Sequence, residues 1–225
     1  MKIILTGATG YVGEGVLLEL LRSPQVEKVL SVSRRPTGIL QGEYSCLAPA
    51  ETAKLEEYIV ADMLTLEVGD PRFEGYDAVF FIAGVTSVGT PHDVYDRISY
   101  DIPVHFAKIM PDKSRMTYIY LSGAGTNPKG RQHWQQVKGR TEQEIQNMGF
   151  RHAFAYRPAF MRWAKGQRRI QAMQYAFICF YPLAYVCRGA NSMTEVAQSM
   201  MVCTRDGYAK SVINPVDIQR LAKQL

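Results

Sequence analysis

The chain opens on the apolar run Ile3-Ile4-Leu5 and passes straight into Thr6-Gly7-Ala8-Thr9-Gly10-Tyr11-Val12-Gly13. Behind it, Val16-Leu17-Leu18-Glu19-Leu20-Leu21 reads as helix. A short strand, three glycines at three-residue spacing and a helix start constrain the fold more than any other feature here. Gly7 permits a tight turn. Gly10 lets backbone approach a pyrophosphate without a Cβ in the way, and Gly13 allows the helix to pack closely on the strand. The helix N-terminus adds free N–H groups and the positive end of a dipole. The segment therefore reads as a phosphate cradle, with Gly7, Thr9, Gly10, Tyr11, Val12 and Gly13 as candidate contacts.

The remaining sequence alternates between strand and helix. Strands are expected at residues 2–5, 29–33, 58–61, 78–83, 117–121 and 153–156, with a short last one at 212–214. Helices are expected at 11–22, 94–110, 132–147 and 216–224. Short apolar strands separated by helices form a parallel sheet covered on both faces, wound in two halves about a central switch point. The predicted fold is α/β with a doubly wound parallel sheet, in one domain over 1–225. Residues 159–209 break the alternation and read as a small helical cap on the substrate side. At 225 residues, 47% hydrophobic and 21% charged, the chain has the make-up of a globular domain with a large core.

In such a sheet, ligands bind beyond the strand C-termini, so the residues there are informative. The second strand ends Ser33-Arg34-Arg35. NAD sites commonly carry an acidic side chain here for the ribose 2′-hydroxyl. Two guanidinium groups suit a 2′-phosphate instead, so NADP(H) is favoured over NAD(H), although surface charge at a strand end explains the same letters. The third strand is followed by Asp62-Met63, where Asp62 either accepts from an adenine amino group or caps a local turn. The fourth runs into Ala83-Gly84, small enough for a cofactor to lie flat across it.

Together these features resemble the short-chain dehydrogenase/reductase superfamily, in particular its atypical NAD(P)H-binding, epimerase-like and Tat-interacting-protein-like members. Leu121-Ser122-Gly123, Val137-Lys138-Gly139 and Arg157-Pro158-Ala159-Phe160 follow in the family's order. The resemblance implies a Rossmann fold and assigns Pro158 and Phe160 to the cofactor carboxamide region. It also implies Lys138 on the nicotinamide ribose and Ser122 near a carbonyl, as the catalytic pair. The family's proton-donating Tyr lies four residues before its Lys. That position here is Trp134, whose indole N–H does not ionise usefully. Three outcomes stay open. The protein binds NADP(H) without turnover, as a sensor or interaction module; or another donor (Tyr120, Ser122 or His133) replaces the Tyr; or the substrate needs no proton from the enzyme. His133 reads more simply as a surface side chain and Tyr120 as packing beside the sheet. Asp101 falls where relatives organise a water, and equally suits a helix cap before Pro103.

The expected activity is therefore an oxidoreductase reaction on a small apolar carbonyl or quinone-like substrate. The aromatics Tyr175, Phe177, Phe180, Tyr181 and Tyr185 read as core or as substrate wall. No metal-ligand spacing, nucleophile elbow or paired catalytic carboxylates occur in the sequence. The net charge of +5 suits an anionic ligand, and no basic–aromatic repeat suggests nucleic acid. Residues 173–187 are too short an apolar stretch to span a bilayer, so membrane contact is not expected. A homodimer stays open. The absence of a signal-peptide pattern before the first strand, with four cysteines in no pairing pattern, makes a reducing cytoplasm the expected location.

Overall fold

The computed structural model describes residues 1–170 and 172–225. Its strands are β1 (Lys2–Thr6), β2 (Lys28–Ser33), β3 (Leu55–Ile59), β4 (Ala78–Phe81), β5 (Thr117–Leu121), β6 (His152–Tyr156), β7 (Phe160–Arg162), β8 (Ala190–Ser192) and β9 (Val212–Ile213). Its helices are α1 (Tyr11–Arg22), α2 (Pro49–Thr52), α3 (His92–Asp96), α4 (Ile102–Ile109), α5 (His133–Gln146), α6 (Ala172–Phe177), α7 (Tyr181–Val186), α8 (Met193–Asp206) and α9 (Pro215–Ala222). A parallel sheet of seven strands in the order β3-β2-β1-β4-β5-β6-β9 forms the centre, and β7 pairs with β8 apart from it. The chain starts in the middle, builds outwards to β3, then returns at β4 to the other side of β1. The crevice at the C-terminal ends of β1 and β4 is the topological switch point.

Alternation along the strands divides the core in two. Ile3, Leu5, Phe80, Ile119 and Phe154 face α1, α8 and α9, while Ile4, Val79, Phe81, Tyr118 and Tyr120 face α4 and the end of α5. Side chains at alternate positions point to opposite faces, which is why strands apolar on both faces need helices on both. The doubly wound α/β expectation holds.

Three local expectations are corrected. The third strand begins at Leu55, paired with Val29, and ends at Ile59, so it lies about three residues earlier than residues 58–61. Its alternation is weakened by Glu56 and Glu57, and Glu57 is drawn to Thr37, whose N–H and hydroxyl both donate to it. The helix expected at 94–110 is helical throughout but changes to a π-helical turn at Arg97–Asp101. Pro103 has no N–H to give to the Ser99 carbonyl one turn back. Tyr120 Oη and Thr141 Oγ1 donate to that carbonyl instead, at 3.0 and 2.8 Å. Finally, α8 belongs to the core rather than to a cap. Val196, Ala197, Met200, Met201 and Cys203 pack with α1, α9 and the sheet. Strands β7 and β8 form a separate two-stranded sheet outside this core.

Residues 161–169 cross the outer side of α1 and are fastened by Glu14, which is buried (1% exposed). Its carboxylate accepts from Arg168 N, Arg169 N and Tyr44 Oη, each at 2.7 Å. Gln167 Nε2 donates to Tyr11 O at 2.6 Å, and Arg169 Nη2 to Thr37 O at 2.9 Å. The crossing segment thereby joins the glycine turn to the loop after β2. Glu14→Ala is expected to cost roughly 3 kcal/mol, because it strands charge-assisted donors, and Glu14→Gln about half of that. Urea denaturation of the three proteins measures both.

Candidate functional site

A cleft of about 840 Å³ opens at the switch point. Its floor is the turn between β1 and α1. Gly7 has φ 76°, and a Cβ on it would lie 2.6 Å from Ala83 N at the end of β4. A Cβ on Gly13 would lie 2.0 Å from Gly7 O. Both positions therefore require glycine, the first for backbone conformation and close approach, the second for close approach alone. Gly10 differs: the nearest atom to a Cβ there is Gly7 O at 3.4 Å. The protein itself nearly tolerates a side chain at Gly10, so the benefit of glycine lies on the open, ligand side. Thr6 Oγ1 accepts from Ile82 N and Ala83 N, both at 3.1 Å, and pins β1 to β4 where the cleft begins. Gly10 supplies no side-chain cap to α1, which leaves the first-turn N–H groups for an anion.

The cleft brings together every sequence-derived cofactor candidate except one. Gly7, Thr9, Gly10, Tyr11, Val12, Gly13, Arg34, Arg35, Asp62, Met63, Ala83, Gly84, Ser122, Lys138 and Pro158 all line it. Phe160 does not. It belongs to β7, and its ring packs on Tyr181 at 5.9 Å, so the neighbouring Met161 reaches the cleft in its place. Alternation along an extended segment sends adjacent side chains to opposite sides.

At one end, Arg34 and Arg35 are exposed and form no salt bridge among the described residues. Ser33 Oγ donates to Arg35 O at 2.7 Å, which fixes the turn that carries them. Asp62 caps the turn after it through Leu64 N at 3.1 Å, while its other oxygen takes Arg97 Nη2 at 2.5 Å. Both oxygens of Asp62 are thus engaged. Sequence reasoning missed Arg97 and also the stripe Val94, Ile98 and Ile102 beside it, all of which line the cleft. Their one-turn spacing was visible but is equally the signature of a core face.

At the other end, Lys138 projects from α5 between Ser122 and Leu121. Nζ donates to Leu121 O at 3.2 Å and lies 5.2 Å from the Tyr120 ring centroid. Burial pushes its pKa down to about 8 against the opposing pull of the Glu142 carboxylate. Glu142 is itself buried and paired with Arg157 through two hydrogen bonds. Ser122 Oγ lies 2.9 Å from Thr126 Oγ1, and Thr126 gives its proton to Gly123 O. Ser122 is therefore the donor to Thr126.

The other candidate donors point elsewhere. Trp134 is outside the cleft: its Nε1 donates to Gln132 Oε1, and its ring lies over Gly125. Tyr120 Oη is held by Ser99 O. His133 Nε2 meets Asp96 Oδ1 at 2.6 Å and its ring stacks on His92, 4.1 Å away, so it is a partly covered link between α3 and α5. Asp101 is exposed and makes no capping bond. Among the aromatics of the 175–185 stretch, Tyr175, Phe180 and Tyr185 are exposed and Tyr181 is buried; none lines the cleft. The side chain of Phe177 lies outside the described residues.

No family model matches this sequence. Protein fmp52-1, mitochondrial, of Aspergillus terreus is 26% identical over 171 residues, 75% of this chain and 70% of that protein. Protein fmp52, mitochondrial, of Emericella nidulans is 24% identical over 212 residues, 93% of this chain and 81% of that protein. Among solved structures, UDP-glucuronic acid 4-epimerase from Bacillus cereus, in complex with UDP-glucuronic acid and NAD, superimposes with a TM-score of 0.65. The match covers 95% of this chain and 77% of that one at 15% identity. The fold is that of NAD-binding Rossmann enzymes. The expected cytoplasmic location is overturned: the curated relatives are named mitochondrial, and the lack of a signal-peptide pattern never discriminated between those compartments.

The floor geometry makes a direct prediction. Gly13→Ala forces the Gly7 carbonyl away, and dinucleotide affinity is expected to fall at least ~10-fold, or ~1.4 kcal/mol. Fluorescence titration measures the affinity, and circular dichroism verifies that the fold survives.

Proposed function

We propose that this protein binds NADP(H) in the switch-point cleft and acts as an oxidoreductase on a small, neutral, mainly apolar carbonyl or quinone-like compound. One observation carries the reading. A glycine-floored cleft runs from two free guanidinium groups after β2 to a half-buried lysine beside β5. A glycine turn between a basic end and a lysine end supports a dinucleotide, and the two arginines support a phosphorylated adenosine ribose. A bound nicotinamide dinucleotide supplies or accepts a hydride; this chain's residues bind, orient and shield it. The N-terminus of α1 faces the diphosphate, Arg34 and Arg35 the 2′-phosphate, and Lys138 the nicotinamide ribose. Val94, Ile98, Ile102 and Met161 form an apolar wall, and Asp62, the only carboxylate among the described residues that line the cleft, is already paired with Arg97.

The placement of Trp134 away from the cleft favours a second reading, in which the coenzyme is bound without turnover. Consumption of NADPH with some member of a carbonyl and quinone panel separates the two. The shared name of the fungal relatives supports a mitochondrial location for this chain too.

Arginine at a 2′-phosphate binds by charge-assisted, bidentate bonds. Replacing Arg34 and Arg35 together by alanine is expected to weaken NADPH binding at least ~10-fold, ~1.4 kcal/mol, and to leave NADH within about twofold. Calorimetry with both nucleotides measures this, and equal affinity of the unaltered protein for NADH and NADPH overturns the NADP(H) assignment.

A further inference from the structure

We infer that Lys138 is the proton donor of the reduction, delivering its Nζ proton directly to the carbonyl oxygen in the role that a tyrosine hydroxyl otherwise fills. The inference rests on the oxidoreductase reading and on what surrounds Nζ. An ammonium has three protons, and Lys138 uses one, on Leu121 O. Every nearby hydroxyl with an acidic enough proton is engaged with another acceptor. Tyr11 Oη donates to Met161 O at 2.6 Å, and Tyr120 Oη to Ser99 O at 3.0 Å. Ser122 donates to Thr126, so its oxygen has only lone pairs to offer. Thr86 also lines the cleft, but an aliphatic alcohol is a far weaker acid than an ammonium. Trp134 is outside.

The electrostatic setting agrees. An ordinary lysine is too weak an acid to give its proton readily near neutral pH. Burial brings this one down to about 8, within the range where general acids are effective. The charged groups facing it are Glu142 on its own helix and Arg157 at the end of β6, which pairs with Glu142 and offsets it. Arg97 lies across the cleft, paired with Asp62. Tyr120 presents its ring face from β5. In the step, a hydride adds to the carbonyl carbon and the C=O π pair moves to oxygen. That oxygen forms a bond to an Nζ proton, the N–H pair stays on nitrogen, and the neutral amine regains a proton from solvent. The products are the alcohol and the oxidised coenzyme.

The experiment has three readouts on the full chain. NADPH is titrated by fluorescence. Lys138 acidity is measured by competitive acetylation across pH with mass spectrometry, with and without NADPH. The rate of NADPH consumption with phenanthrenequinone and nitrobenzaldehyde is then followed against pH. The expected labelling value for the free protein is near 8, and kcat/KM should fall tenfold per pH unit above the value found for the NADPH-loaded protein. In Lys138→Arg, whose guanidinium stays protonated, that alkaline fall should vanish and the rate drop at least ~100-fold. If NADPH does not bind, the coenzyme reading fails and this inference with it. If NADPH binds but neither carbonyl is consumed, the donor assignment is overturned and the binding reading stands. An alkaline fall that persists in Lys138→Arg, or a labelling value in the ordinary lysine range, also overturns it. Should Lys138→Arg lose NADPH binding, agreement between labelling and rate in the unaltered protein decides.

Discussion

The cleft depends on a close approach between the first turn and the end of β4. Gly7 backs onto Ala83 so tightly that no Cβ fits, Gly13 backs onto Gly7, and Thr6 holds two amides of the β4 end with one hydroxyl. These contacts do more than stabilise a turn. They bring the N-terminus of α1 level with the edge of the sheet, so its unpaired N–H groups open into the crevice rather than onto a neighbouring strand. They also set the distance between the two halves of the sheet at the point where the winding reverses. The cleft is the space left over once that packing is satisfied, and its position follows from backbone sterics before any ligand chemistry is considered.

A carboxylate in the first turn of α1 complicates this picture. Negative charge is favoured at a helix N-terminus, but it competes there with a bound phosphate for the same dipole. Glu14 avoids the conflict by facing away from the cleft, where two backbone amides and a phenol absorb its charge. Its partners lie more than 150 residues along the chain and in the loop after β2. Arg169 extends the same link to Thr37, two residues beyond Arg35. The arginine-bearing turn is therefore held in place from the C-terminal half of the chain. The placement of Arg34 and Arg35 thus depends on residues that lie outside the cleft.

How far the sequence could be read follows from which interactions are local. The cradle, α1, β1, β5 and the strand-end candidates were readable because short-range sterics and periodicity decide them. Third-strand register was misjudged because Glu56 and Glu57 disguise a strand held by a distant threonine. The π-turn at Arg97–Asp101 answers a proline, but its compensation by Tyr120 and Thr141 exists only in three dimensions. Helix α8 reads as part of a helical cap over 159–209 because its helical character is local, whereas its burial against α1 and α9, which makes it a core element, is not. Met161 rather than Phe160 lines the cleft because alternation along β7 turns Phe160 onto Tyr181, a contact that is not local in sequence.

The same π-turn bears on the chemistry. Because Pro103 leaves the Ser99 carbonyl free, the Tyr120 hydroxyl donates there and not into the cleft. The turn also sets where Arg97 and Ile98 leave the helix, giving one side chain to the Asp62 pair and the other to the apolar wall. A single missing N–H thus commits the Tyr120 hydroxyl to Ser99 O and helps to shape the cleft wall. With Trp134 outside the cleft as well, the proposed donor in this site is an ammonium whose acidity is raised by burial. An ammonium there is a stronger acid than it is in water, whereas a phenol under the same burial becomes a weaker one. Burial therefore weakens a phenol as an acid and strengthens an ammonium, which is why Lys138 rather than Tyr120 suits the proposed donor role.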